Sequence, residues 1–258
     1  MKSGDLMLEE EIEIQTSDGV VTGYLYRGKD GRALPGIIHM TDIMGIRQAS
    51  RDMARRLADE GYAVLLPNVC YRTGKPPLFD SIPNFGDDRV KKRFVELTGP
   101  LTPEAIGRDA SSYVDFLAAN KFVLDGDIGG GIGVVGYCFT GAIAMRIAAA
   151  MPGKIAALAS FHGGSLFTDA PTSPHLTLPQ IKARLYFGYA SNDASMPEQA
   201  IVKFEQALKT WGGKYESEIY EGSAHGWTMP DRPVYNKPQA ERAFKKMTEL
   251  FQSTLKKA

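Results

Sequence analysis

"VVGYCFTGAIAM" (134–145) passes from β-branched residues through Gly136, Tyr137 and Cys138 into an alanine-rich helical run. Its reading decides the fold. The valines and the tyrosine suit a strand, the alanines suit a helix, and Gly136 and Gly141 let the chain turn sharply between them. In G-x-S-x-G sequences the nucleophile stands on such a strained corner at the carboxyl end of a strand. Here cysteine holds that position. The helix behind it would present its dipole and unpaired amides, favouring a thiolate and offering the Phe139 N–H to an oxyanion. The motif alone fits a small buried cysteine as well, and Thr140 could either cap the helix or reach a pocket.

Working outward, strands and helices take turns. "EEEIEIQT" (9–16) and "VVTGYLYR" (20–27) alternate around Ser17-Asp18-Gly19 and predict an antiparallel hairpin of edge strands. "LPGIIHM" (34–40) and "YAVLLP" (62–67) are short apolar runs suited to strands buried on both faces. The stretch between them sets Met53, Ala54, Leu57 and Ala58 at helical spacing and stops at Gly61, completing a βαβ unit. Further alternation follows: a helix at 103–120, "IGVVGY", a helix from Phe139 to Ala150, "IAALASFHGG", "ARLYFGYA", "PEQAIVKFEQALKTWG", "YESEIY" and a helix at 238–255. This pattern predicts one α/β domain over 1–258, with a mainly parallel sheet and helices on both faces. Residues 71–102 interrupt it with prolines, glycines and a short charged segment, and are expected to form a lid or insertion. The 163–181 loop reads as an ordinary surface connection.

Thirty basic and thirty acidic residues cancel, so no long-range field favours nucleic acid or an anionic membrane. Residues 1–20 do not resemble a secretory signal, and no apolar run approaches the roughly 20 residues of a membrane helix. A cytoplasmic protein acting as monomer or homodimer is expected. Cys70 and Cys138 are the two cysteines and are expected to be free thiols. Gly131, Gly133 and Gly136 spell G-x-G-x-x-G, but a pyrophosphate turn follows a strand, and here Val134 and Val135 belong to the strand itself. The stretch "LDGDIGG" precedes the motif, and 154–160 hold no acid.

A nucleophile needs a base, and the base needs an orienter. His39 lies inside an apolar strand, His175 in a Pro/Thr-rich loop, and His162 follows a strand but comes too early in chain order to suit a base. His225, in "YEGSAHGW", follows the last strand among small residues. Asp193, in "GYASNDASMP", ends a strand before a helix opened by Pro197. A surface histidine and a plain turn aspartate are the alternatives. The order Cys138, Asp193, His225, each after a successive strand, supports the catalytic reading.

Together with "HMTDIMGIRQASRDMARRLADEGYAVLLPN", "GYCFTG", "SFHGGSL", "GYASNDASMP" and "YEGSAHGW", the chain resembles the dienelactone hydrolase family of α/β-hydrolases. The resemblance implies a single-domain α/β-hydrolase fold, a triad of Cys138, Asp193 and His225, and oxyanion amides from Phe139 and Ile43. It also implies a small ester or lactone substrate, with neither metal nor organic cofactor. Two positions depart from the family pattern: Thr140-Gly141 stands where two glycines are usual, and Asp42 where a glutamate meets the cysteine. They bear on the substrate more than on the reaction class, so simple esters or thioesters stand beside dienelactones. Family members hold a substrate carboxylate with arginines, for which Arg72, Arg89 and Arg93 are candidates. Trp227, Met44 and His162 are candidate pocket residues. A non-catalytic binding protein on the same fold and a thiol redox protein are the contrasting classes.

Overall fold

The computed structural model describes residues 7–124 and 131–255. The first six residues of the acidic N-terminal segment and Asp125–Gly130 of "LDGDIGG" lie outside them. The hairpin forms as β1 (Met7–Thr16) and β2 (Gly19–Gly28), with Gly19 at φ 134°. The chain continues through β3 (Gly36–His39), α1 (Gln48–Asp59), β4 (Ala63–Pro67), α2 (Asp88–Thr98), α3 (Pro103–Ala118), β5 (Ile132–Tyr137) and α4 (Thr140–Ala150). It closes through β6 (Ile155–Phe161), β7 (Arg184–Asn192), α5 (Glu198–Trp211), β8 (Tyr215–Ala224) and α6 (Lys237–Thr254). The strands form one sheet in the order β1-β2-β4-β3-β5-β6-β7-β8. From β4 onward the pairing is parallel, whereas β2 runs antiparallel to both β1 and β4. Only β1 of the hairpin is therefore an edge strand. β2 is interior because Val21, Leu25 and Tyr26 are buried on its two faces.

Alternation along the strands divides the core in two. Val134, Leu158, Leu185 and Phe187 pack towards the side that holds α3, α4 and α5, and Val135, Tyr137, Ala159 and Tyr186 towards α1 and α6. The helix ends are specified locally. Thr102 accepts from the Ala105 N–H with Pro103 in the first turn, Asn236 caps α6, and Gly212 ends α5 in the left-handed region at φ 71°.

The 71–102 connection is not irregular throughout. Its charged segment forms α2, opened by Asp87 accepting from the Arg89 N–H at 2.8 Å. Leu78 and Leu97 anchor the segment in the core, which the prolines and charges around them obscured. The 163–181 connection carries a 3-10 helix (Pro174–Gln180), and His175 is half-buried there, stacked on Phe167 with ring centroids 4.0 Å apart.

Candidate active site

Cys138 stands between β5 and α4 with φ 59°, a left-handed conformation rare for a side-chain-bearing residue. Two glycines make the corner possible. A Cβ on Gly136 would lie 2.2 Å from the Thr140 carbonyl oxygen, and one on Gly141 would lie 2.4 Å from Ser160 Oγ and 2.8 Å from Gly163 Cα. The Cys138 N–H donates to the Phe161 carbonyl at 3.2 Å and to His162 Nδ1 at 3.1 Å. Since His162 Nδ1 accepts, its proton sits on Nε2 and is donated to Thr228 Oγ1 at 2.7 Å. Burial, reinforced by the His225 charge, holds the His162 pKa well below the usual range, so this ring is neutral.

Asp193 and His225 extend from the ends of β7 and β8. His225 Nδ1 meets Asp193 Oδ2 at 2.7 Å, while Asp193 Oδ1 accepts from the Ser195 N–H at 2.8 Å and from Ser195 Oγ at 2.6 Å. Burial works to raise the Asp193 pKa, but the bonds and charge of His225, with the Ser195 bonds, outweigh it and lower the value. For His225, burial opposes the charged form. The Cys138 charge and hydrogen bond, together with Asp193, overcome it and raise the pKa to about 10. Cys70 differs: it is buried among apolar side chains, which pushes its thiol up to about 12.

The loop after β3 faces this corner. A turn closes from the Gly45 N–H to the Asp42 carbonyl at 3.0 Å, and Asp42 Oδ1 takes the Met44 N–H at 3.2 Å. The bonds that shape the elbow and this turn leave the N–H groups of Phe139 and Ile43 without a partner among the described residues. Ile43, Phe139, Cys138, Asp193 and His225 all border one cavity of about 690 Å³. Its apolar wall includes Phe85, Phe94, Val95 and Leu101 from the 71–102 segment, with Ile106 and Ile143 from α3 and α4. Among the described residues, no group of three or more His, Cys, Asp or Glu side chains is placed to hold a metal ion.

A sequence profile of the dienelactone hydrolase family matches residues 21–255. The chain belongs to this family. It is a carboxylic ester hydrolase of the dienelactone hydrolase type. It is 27% identical over 228 residues to a carboxymethylenebutenolidase-like protein of Salmonella typhi, covering 87% of this chain and 79% of that one. It is 26% identical over 237 residues to a carboxymethylenebutenolidase of Rhodococcus opacus, covering 90% and 86%. In fold it matches a dienelactone hydrolase-type protein of Klebsiella pneumoniae with a TM-score of 0.83 at 23% identity, over 95% of this chain and 98% of that one. Among the described residues, no helix is long and apolar enough to cross a membrane.

Within this dienelactone hydrolase fold, several expected pocket residues lie elsewhere. Arg72 is held away from the cavity by Asp109 at 2.8 Å and Asp18 at 2.7 Å. Arg89 is exposed and paired with Asp87, and Arg93 reaches the Leu78 carbonyl and Glu96. Trp227 is fully buried behind the site, stacked on Tyr220 with its edge to His162. Met44 receives the Arg232 guanidinium on its sulfur. Asp42 does border the cavity, but its carboxylate is taken up by Arg47 at 2.6 and 3.1 Å, and Arg47 is bound in turn by Asp231 at 2.5 and 2.9 Å. His162 lines the cavity as expected. Sequence reasoning missed Ser195, which "NDAS" signals as an aspartate bonding its own chain two residues on. It also missed Arg146 and Arg232, which line the cavity and make no salt bridge among the described residues, although the charges of Glu104 and Asp231 act on them from further away.

Proposed function

We propose that this chain hydrolyses small esters or lactones through a thioester on Cys138. The observation that carries the proposal is the convergence of Cys138, Asp193 and His225 from the ends of β5, β7 and β8 on one cavity. Asp193 holds the His225 tautomer, and the imidazole takes the Cys138 proton. The thiolate attacks the ester carbonyl and forms a carbon–sulfur bond, placing the oxyanion between the Phe139 and Ile43 amides. The His225 proton passes to the leaving alkoxide or enolate as the carbon–oxygen bond breaks. Water, deprotonated by His225, then cleaves the thioester and restores the thiol. Thiolate is itself a good leaving group, so activated esters and lactone enols suit this site better than amides.

The cavity supports a substrate with an apolar body, because aromatic and aliphatic side chains form most of its wall. Arg146 and Arg232, which line the cavity and form no salt bridge among the described residues, suit a negatively charged substituent, taking the role expected of Arg72 and Arg89. The 71–102 segment serves as the lid that sets which substituents fit. No nucleic acid or membrane takes part, and the protein works in the cytoplasm as a monomer or homodimer. The test is p-nitrophenyl acetate hydrolysis: Cys138→Ala abolishes it and Cys70→Ser leaves it largely intact, whereas equal rates in all three proteins exclude Cys138 as the nucleophile.

A further inference from the structure

Thr140 is fully buried, borders no part of the cavity and bonds none of the amides of α4. Its hydroxyl instead accepts from the Tyr137 N–H at 2.8 Å, and its proton is shared by the Thr41 carbonyl at 2.9 Å and the Tyr137 carbonyl at 2.8 Å. These groups stand where β3 and β5 part. The direct bond from the Met40 N–H to the Val135 carbonyl, 3.0 Å, ties the two chains just before that point. Beyond it, one chain runs on to Ile43 and the other to Cys138 and Phe139. The Thr140 hydroxyl continues the ladder with a rung of two bonds, where a backbone rung would be one bond of about 2.9 Å. The side chain is thus both a tie and a spacer between the two chains.

An oxyanion must sit about 2.7–3.1 Å from each of its donors, so the gap between these chains decides whether both amides reach it. We infer that Thr140 is a positioning residue that sets this gap, acting through Thr41 and Tyr137 without touching the substrate. The inference rests on the thioester mechanism proposed for Cys138. It also gives a physical role to the residue that departs from the glycine usual at this point of the family elbow.

The test compares Thr140→Val, which keeps the shape and loses the hydroxyl, with Thr140→Ser, which keeps the hydroxyl. For p-nitrophenyl acetate, Thr140→Val lowers kcat and kcat/KM together, by about tenfold to a hundredfold, as misplacing an oxyanion donor does. Thr140→Ser restores most of the rate. Alkylation of Cys138 by iodoacetamide needs the thiolate but no oxyanion site, and its rate stays near that of wild type in both variants. If Thr140→Val does not fold by circular dichroism, Thr140→Ala, which adds no new atoms, carries the same comparison. Unchanged turnover in the hydroxyl-free variant overturns the inference. Turnover and alkylation falling in parallel also overturn it, because they mark general damage to the elbow. Wild-type turnover that survives Cys138→Ala is a separate result and defeats the underlying mechanism instead.

Discussion

Replacing Arg47 with methionine removes the strap between the loop carrying Ile43 and the loop carrying His225. Arg47 makes two bonds to Asp42 and two to Asp231, and its Nη1 also reaches the Gly45 carbonyl at 3.2 Å. The side chains of Arg47 and Asp42 are only 15% and 9% exposed, whereas Asp231 is 36% exposed. The two halves of the strap therefore carry different weights. Leaving the buried Asp42 carboxylate with only the Met44 N–H costs about 3 kcal/mol, the lower end for breaking a buried pair. Losing the half-exposed Asp231 contact costs at most about 1 kcal/mol. The sum, about 3 to 4 kcal/mol, corresponds to a fall in Tm of about 10 °C for a chain of this size. Much of the cost is the stranded carboxylate, so Asp42→Asn combined with Arg47→Met recovers about 2 kcal/mol relative to the sum of the single changes. Urea unfolding of the four proteins supplies the cycle. A single variant within about 1 kcal/mol of wild type, or a cycle with no coupling, refutes the reasoning, because exposed pairs behave in that way.

Three further outcomes follow from the site's charges. By NMR the His225 imidazole titrates near pH 10 in the wild type and at lower pH in Cys138→Ala, which removes the facing sulfur charge; an unmoved midpoint contradicts the pairing. Because this value lies above the unfolded one of about 6.5, the imidazolium's stabilisation is complete below pH about 6.5 and is lost as pH rises through about 10. The urea midpoint of wild type therefore falls relative to His225→Gln across that window. Arg146→Gln lowers kcat/KM for the mono-p-nitrophenyl ester of a dicarboxylic acid but leaves the neutral butyrate ester unaffected. An equal loss on both assigns Arg146 to the pocket wall alone.

The corner at Cys138 was legible because its constraints are local: a glycine before it, another after it, and a helix that begins at once. Asp193 and His225 were legible from their order at strand ends. Contacts between residues distant in sequence were not. Arg72 sits in a loop that borders the cavity elsewhere, but its partners, Asp18 in the hairpin turn and Asp109 on α3, hold it off the cavity wall. Trp227 follows His225 by two residues, yet the intervening Gly226, at φ 95°, turns the chain so that the indole packs inward on Tyr220. Arg146 looks like any charge on an alanine-rich helix until α4 is set against the 71–102 segment. The bond from Thr140 to Thr41 spans 99 residues and is invisible to any local pattern. Asp42 borders the cavity, but no local pattern shows that Arg47, five residues on, claims its carboxylate.

The most direct measurement of the central claim is intact-mass and peptide mapping of the protein quenched with acid during turnover of an activated ester. The account predicts one acyl group on the peptide containing Cys138, absent after Cys138→Ala and still formed in Cys70→Ser. An acyl group only on Cys70, or turnover by Cys138→Ala at the wild-type rate, would contradict it.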